Sequence, residues 1–312
     1  MESGIFIINK PINLTSMDVI RKIKRRFNIK KVGHAGTLDP MADGVIPILV
    51  GEATKFVPIL HDQYKEYEFT VEFGKKTDSY DQAGEIIETN EYMPSKKDLL
   101  SAIPKFTGEI LQVPPKFSAC KVGGKRAYDL ARDNIDFELQ AKKRHIYALS
   151  LEKYDAPFVT FRAKCSSGTY IRSLAVDIAE YVNSICYVTK LTRVKYWKFD
   201  IADSKHISID FQKIKNKTKG INIDSESSMN IDSKSLNSIN DISENDLIKL
   251  ESIKWDNMIN ITADQYDYLK HGRSVVINSN NGVFIGLYNG KVMGIFDITE
   301  GILSVKRMLK CG

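Results

Sequence analysis

The chain has 312 residues, 43% of them hydrophobic and 27% charged, with a formal net charge of +6 at pH 7. This composition is typical of a globular protein with one large and one small domain, and no apolar run approaches the roughly 20 residues that a membrane span needs. The N-terminus has neither a basic, apolar secretion signal nor an Arg-rich transit peptide, so we expect a cytoplasmic protein.

The first predicted elements are a strand at residues 4–9 and a helix that begins after Thr15. Residues 15–18 are Thr-Ser-Met-Asp, the pattern of a capping box, and apolar residues then recur at helical spacing through residue 27. The rest of this helix is basic and has no acid between residues 20 and 32: Arg21, Lys22, Lys24, Arg25 and Arg26. A charge run is ordinarily a solvated face, but the absence of acids favours a surface that contacts phosphates.

Further along the chain, strict alternation of apolar and polar residues predicts half-buried strands at 67–73 and 158–165. Between them we expect a short strand at 85–89, a short helix at 97–103 and an exposed basic excursion within 112–132. Apolar spacing after residue 169 predicts a helix with Arg172 in its first turn. A cation is unfavourable at a helix N-terminus, so a nearby anion is expected to hold this arginine.

The composition predicts three segments. Residues 214–250 are rich in Asn, Ser, Ile, Asp and Lys and contain no aromatic residue, which predicts a flexible insertion or linker. It separates a larger domain at 1–213 from a small β-rich module at 251–312. In that module, Asn289 and Gly290 predict a tight hairpin between two short apolar runs.

The sequence Gly-His-Ala-Gly-Thr-Leu-Asp-Pro at 33–40 resembles the signature of the TruB family of tRNA pseudouridine-55 synthases. Other family elements follow in order, among them Gly-Glu-Ala-Thr-Lys at 51–55, Gln-Val-Pro-Pro at 112–115 and Ser-Ser-Gly-Thr-Tyr-Ile-Arg at 166–172. The resemblance covers residues 4–199. It implies a mixed α/β (α+β) catalytic domain with a largely antiparallel central sheet, and the C-terminal strands, which end at residues 304–308, are similar to a PUA-type RNA-binding module.

The resemblance also implies the chemistry. Asp39 would be the catalytic carboxylate, Arg172 the cation that keeps it ionised, and Tyr67 the aromatic residue that holds a flipped-out uridine. On local pattern alone, an Asp before Pro is a turn residue and Tyr67 a core residue. Further substrate-binding positions are implied at His34, Tyr170, Leu191 and Lys10.

No cofactor or metal is expected. The sequence has no dinucleotide-binding or phosphate-loop motif, and Cys120, Cys165, Cys186 and Cys311 include no CxxC pair, which predicts reduced thiols. The expected partner is the T-arm of tRNA, bound by a monomer without an obligate protein partner. Two alternatives stay open: a non-catalytic RNA-binding protein, and a pseudouridine synthase acting on another RNA such as a ribosomal one.

Overall fold

The computed structural model describes residues 2–206 and 242–310. Most of the predicted insertion at 214–250 lies outside these ranges. Its described part, 242–250, is packed against the protein: Ile242 and Leu250 are buried, and Ile248 pairs with Ile5 by two backbone hydrogen bonds of 2.9 Å. The linker was predicted to extend to residue 250, whereas the structure shows packed residues from 242 onward.

The strands before residue 207 are β1 (Gly4–Lys10), β2 (Val32–His34), β3 (Asp43–Val50), β4 (Lys65–Phe73), β5 (Lys75–Thr77), β6 (Ile86–Thr89), β7 (Gly108–Gln112), β8 (Lys121–Val122), β9 (Lys125–Arg126), β10 (Lys142–Asp155), β11 (Phe158–Cys165), β12 (Cys186–Tyr196), β13 (Phe199–Asp200) and β14 (Lys205–His206). After residue 241 they are β15 (Met258–Asn260), β16 (Val275–Val276), β17 (Gly282–Tyr288), β18 (Lys291–Thr299) and β19 (Ile302–Met308). The α-helices are α1 (Ser16–Phe27), α2 (Val57–His61), α3 (Lys96–Ala102), α4 (Ala127–Arg132), α5 (Ile171–Tyr181) and α6 (Ala263–Lys270).

Two sheets organise the described residues. The larger has the order β14-β1-β3-β12-β4-β11-β10-β7, with β13 on β12 and β2 on β3, and the smaller has the order β15-β17-β18-β19-β16. Only the pairs β1–β14, β3–β12 and β15–β17 are parallel among these described strands. The expectation of a mixed α+β fold with a largely antiparallel central sheet is confirmed.

Both faces of the large sheet are covered around β1 and β3. One face packs under α1, α3 and α5, with Phe6, Ile8 and Ile46 among its buried residues. On the other face, the alternate residues Ile5 and Ile7 lie in one apolar core with residues of the C-terminal sheet. Because β1 is buried from both sides, its residues 5–8 are all apolar, as expected for a strand covered on both faces.

Several local predictions are confirmed in detail. Thr15 caps α1, and its hydroxyl accepts the Asp18 N–H at 3.1 Å. The strand predicted at 158–165 is β11, and β4 shows the predicted alternation of burial along its whole length. Asn289 and Gly290 both have positive φ angles, 50° and 74°, as a tight hairpin turn requires. Among the described residues, no helix is long and apolar enough to cross a membrane.

Candidate active site

Asp39 lies in the loop of residues 35–42 between β2 and β3, and this loop is held from outside. The Leu38 N–H donates to Ser16 Oγ at 2.9 Å, and the Ser16 hydroxyl donates to the Leu38 carbonyl at 3.3 Å. Gly36 has a φ of +80°, and a side chain there would meet a neighbouring aromatic ring at 3.3 Å. The backbone on the N-terminal side of Asp39 therefore has one fixed path.

Arg172 reaches Asp39 from the first turn of α5. Its Nε lies 2.9 Å from Asp39 Oδ2, and the arginine side chain is only 5% exposed. The guanidinium also donates to the carbonyls of Ser79 at 2.8 Å and Phe117 at 3.0 Å. Within the described residues the Nε–H has no aligned acceptor, so its contact with Asp39 is an ion pair rather than a linear hydrogen bond. Other groups thus set the orientation of Arg172, and Asp39 meets a cation already in place.

A second carboxylate, that of Asp81, binds the same guanidinium. Asp81 Oδ2 lies 3.1 Å from Arg172 Nη1, and the Asp81 side chain is 7% exposed. Its other oxygen accepts the Ser79 hydroxyl at 2.8 Å and the Ala83 N–H at 2.9 Å. Sequence reasoning gave Asp81 no role, because an aspartate in a polar, glycine-containing loop is ordinarily a turn residue. Two anions beside one buried arginine offset the unfavourable position of that arginine at a helix N-terminus.

The start of α5 is fixed by Gln112, the last residue of β7. The Tyr170 N–H donates to Gln112 Oε1 at 2.8 Å, and Gln112 Nε2 donates to the Tyr170 carbonyl at 3.0 Å. The helix has no side-chain hydrogen bond from its own N-cap residue. The buried Gln112 side chain instead satisfies the backbone groups at the start of the helix. The Gln-Val-Pro-Pro motif therefore positions the helix that carries Arg172.

A cavity of about 240 Å³ lies beside the ion pair. Five of the predicted site residues line it: Asp39, Tyr67, Tyr170, Arg172 and Leu191. Tyr67 points inward from β4 and is 9% exposed, and burial raises the pKa of its hydroxyl, so the phenol is protonated at neutral pH. The cavity thus combines a carboxylate, a guanidinium, aromatic rings and a leucine on one concave surface.

Lys65 also lines this cavity, two residues before Tyr67 on β4. It is 4% exposed, and its Nζ donates to the backbone carbonyls of His61 and Gln63. Burial, with a smaller contribution from Arg193, lowers the pKa of Lys65 to about 8. Sequence reasoning did not select this lysine, since a lysine at the head of a strand is usually solvated.

Lys10 and His34 do not line the cavity. Lys10 is fully buried behind the Asp39 loop, where its Nζ donates to the carbonyls of Leu14 at 2.7 Å, Pro11 at 2.9 Å and Pro40 at 3.5 Å. Burial lowers the pKa of Lys10 to about 8, against the attraction of Asp43 and Asp39. This geometry gives Lys10 a positioning role for the residue that follows Asp39, rather than direct contact with the cavity.

His34 is half-buried at the end of β2. Its Nδ1 is buried and has no hydrogen-bond partner among the described residues. Burial lowers the pKa of His34, and the nearby Arg193 and His61 lower it further. This imidazole is therefore neutral at pH 7. A neutral ring of this kind can accept or donate one hydrogen bond to a ligand at the surface without carrying charge.

Arg193 supports the Asp39 loop from β12. It is 1% exposed, and its guanidinium donates to the carbonyls of Val45 at 2.6 Å, Gly36 at 3.3 Å and Thr37 at 3.5 Å. A Cβ at Gly44 would lie 2.3 Å from the Arg193 carbonyl oxygen, so only glycine permits this close pairing of β3 and β12. The Leu-Thr-Arg element of the sequence thus contributes two residues to the cavity lining, Leu191 and Arg193, and Arg193 also holds the loop.

The arrangement can stabilise or attack an electron-poor carbon from Asp39 while an aromatic ring holds a planar group. Among the described residues, no group of three or more histidine, cysteine, aspartate or glutamate side chains is placed to hold a metal ion.

Comparisons with known proteins give the family of the chain. The family model "TruB family pseudouridylate synthase (N terminal domain)" matches residues 24–171. The tRNA pseudouridine synthase B of Clostridium acetobutylicum is 47% identical over 197 residues, which cover 63% of this chain and 68% of that protein. That of Clostridium kluyveri is 43% identical over 218 residues, 70% of this chain and 75% of the relative.

Among solved structures, a chain in an H/ACA RNP bound to a substrate RNA containing 2'-deoxyuridine superimposes with a TM-score of 0.67. That match covers 99% of this chain and 85% of the other at 18% identity. A Cbf5-Nop10-Gar1 complex gives a TM-score of 0.66 at 19% identity. At such identities the likeness concerns the fold, including the C-terminal sheet. The sequence relatives, at 47% and 43% identity, show the family as well. The chain belongs to the TruB family of pseudouridylate synthases.

Proposed function

We propose that this enzyme converts the uridine at position 55, in the T-loop of tRNA, to pseudouridine, with Asp39 as the catalytic carboxylate and no cofactor. The ion pair of Asp39 with the buried Arg172, in a cavity lined by Tyr67, is the observation that carries the proposal. The choice of tRNA as substrate follows from the relatives named tRNA pseudouridine synthase B.

The reaction is an isomerisation. The bond between uracil N1 and ribose C1′ breaks, the base rotates, a bond forms between C5 and C1′, and the proton at C5 leaves while N1 gains one. Atoms and electrons balance without a redox partner or group donor. An ionised Asp39 serves the reaction either as a nucleophile or as the anion that stabilises positive charge on the ribose.

Arg172 holds a fixed positive charge beside Asp39. The guanidinium attracts the Asp39 carboxylate and so offsets the repulsion between this carboxylate and the phosphates of a bound RNA. Because Arg172 is also bound to Asp81 and two carbonyls, its position does not depend on the substrate. The cation is preorganised before the base enters.

A uridine within a folded loop must leave its stack to reach Asp39. We propose that the flipped uracil packs on the ring of Tyr67, with Tyr170 and Leu191 completing the cavity, while His34 contacts the surrounding loop. The basic face of α1 would bind phosphates of the same RNA. We further propose that residues 1–213 form the catalytic domain and that the five-stranded sheet within 251–312 is a PUA-like RNA-binding module.

Release of tritium from tRNA labelled at uracil C5 tests the proposal. We expect Asp39→Asn, which keeps the shape and removes the charge, to lower release by at least about a thousandfold. The matched control is Asp203→Asn at an exposed aspartate that does not line the cavity, which should leave the rate unchanged. Undiminished release from Asp39→Asn would refute the assignment.

A further inference from the structure

A second cavity, of about 440 Å³, lies between the large sheet and the C-terminal sheet and takes no part in the chemistry above. We propose that it binds one unpaired nucleotide, with the base in the cavity and the phosphate at two cations on its rim. The inference rests on the proposed RNA substrate and deepens it, because it assigns a second RNA-binding site away from the reacting uridine.

The floor of this cavity is apolar. Trp197, 2% exposed, and Trp255, 6% exposed, line it with their ring centroids 5.6 Å apart. Ile59 of α2 and Ile285 of the C-terminal sheet also line it. An apolar slot of this size with a few polar groups is the usual form of a small-ligand site, and the flat face of a nucleobase fits such a surface.

Two amide side chains supply the polar groups. Gln63 Nε2 donates to the Ile59 carbonyl at 3.2 Å, and Asn257 Nδ2 donates to the Val283 carbonyl at 3.3 Å. In the described part of the chain, no donor reaches the side-chain oxygen of either residue. An exocyclic amino group, present in adenine, cytosine and guanine, has two hydrogens and can donate to both acceptors, whereas uracil in a nucleotide offers a single N3–H. The cavity should therefore prefer the amino-bearing bases.

The rim carries unmatched positive charge. Lys306 and Arg307 are exposed on β19, border the cavity and have no ion pair within residues 2–206 and 242–310. The other lysine of the lining, Lys55, is held at 2.6 Å by Glu52. Unpaired cations beside an apolar slot match the phosphate and base of one nucleotide.

The two acidic residues of the lining, Asp62 and Asp256, are either exposed or already paired with other side chains. Asp256 accepts from Lys198 at 2.6 Å and from Trp197 Nε1 at 3.1 Å. Asp62 has a side chain that is 81% exposed and lies 3.4 Å from His61. Neither offsets the charge of the two cations on β19 within the slot.

The two cavities share a wall. Pro58, Ile59, Asp62 and Gln63, from α2 and the turn after it, line the second cavity, whereas His61 and Lys65 line the uridine cavity. Opposite sides of one short segment therefore border both. A single RNA can reach from one cavity to the other around this segment, which favours an RNA nucleotide as the occupant.

The chain has two tryptophans, and both line this cavity, so intrinsic tryptophan fluorescence reports its occupancy. We expect saturable changes on titration with adenosine or cytidine monophosphate, with affinity about fivefold higher than for uridine monophosphate, since one or two hydrogen bonds distinguish them. Inorganic phosphate alone should give no saturable change. A short single-stranded oligoribonucleotide should displace the mononucleotide, and a blunt RNA duplex should not.

Paired variants locate the site. Lys306→Gln with Arg307→Gln should weaken nucleotide binding by about tenfold or more. The control, Lys270→Gln with Arg273→Gln, removes the same charge from exposed positions of the same module and should leave binding unchanged. Equal loss in both variants, no saturable change with any nucleotide, or failure of single-stranded RNA to compete would each overturn the inference. Tritium release is measured separately, so intact isomerisation without nucleotide binding would refute this site alone.

Discussion

Replacing Arg172 by lysine keeps the positive charge and removes the planar fork, so it separates charge from geometry at the centre of the site. The wild-type guanidinium contacts Asp39, Asp81 and the carbonyls of Ser79 and Phe117 at 2.8 to 3.1 Å. A lysine ammonium is a point donor on a flexible stem and cannot span four acceptors on three separate loops. At least two contacts should be lost.

The magnitude follows from those contacts. Two lost hydrogen bonds to a charged group, at about 1.5 kcal/mol each, lower the free energy of unfolding by about 3 kcal/mol. Freed from its fixed partner, Asp39 moves relative to the ribose, and a displacement of about 1 Å costs about a hundredfold in kcat. We therefore expect kcat to fall by about 100- to 1000-fold, with a smaller change in KM.

The assay combines denaturant unfolding with tritium release at saturating tRNA. The matched control is Arg162→Lys, where Arg162 pairs with Glu66 at 2.7 Å but is 42% exposed. Such a pair contributes about 0 to 1 kcal/mol, so this variant should be nearly as stable as wild type and fully active. A folded Arg172→Lys enzyme with kcat within threefold of wild type would refute the geometric argument.

Three further results are expected. Tyr67→Leu should lower tritium release by about a hundredfold while Tyr67→Phe stays within about tenfold, because the ring rather than the hydroxyl holds the base; equal losses would contradict this. Lys24→Glu with Arg25→Glu should weaken tRNA binding and reduce its dependence on salt, by about 0.7 to 0.9 in the logarithmic slope for each lost phosphate contact; an unchanged slope would mean a solvated face. The pKa of Lys10 is about 8 in the folded protein, below its ordinary 10.5. Between these pH values the folded state lacks a proton that the unfolded state keeps, so wild type should gain about 1.4 kcal/mol of unfolding free energy per pH unit relative to Lys10→Met. Parallel stability curves for the two proteins would contradict the burial of that charge.

The fold and the central trio were accessible from sequence because their signals are local. Alternation predicted β4 and placed Tyr67 on its buried face, and the motif at 33–40 singled out Asp39. The position of Arg172 in a helix's first turn predicted a nearby anion, which the ion pair with Asp39 supplies. These are properties of short segments and of a family resemblance.

The supporting contacts were not accessible, because they join residues far apart in the chain. Asp81, Gln112 and Lys10 are polar residues whose local patterns indicate solvated turns or strand ends. Each is buried by tertiary packing and acts on the backbone or charge of the trio. Sequence periodicity identifies which face of an element is apolar, but not which polar group will satisfy a buried partner across the fold.

The same reasoning applies to the second cavity. The likeness of the C-terminal strands to an RNA-binding module pointed to RNA binding in general. The proposed nucleotide site combines Trp197 and Gln63, from the part of the chain before residue 207, with Asn257, from the part after residue 241. Only the packing of the two sheets brings these residues together.

The most direct test of the central claim is chemical mapping of pseudouridine in an unmodified tRNA transcript after incubation with the protein. Wild type should produce one pseudouridine, at position 55, and Asp39→Asn should produce none. A pseudouridine elsewhere with position 55 unmodified, or modification of position 55 by the Asp39→Asn protein, would contradict the account.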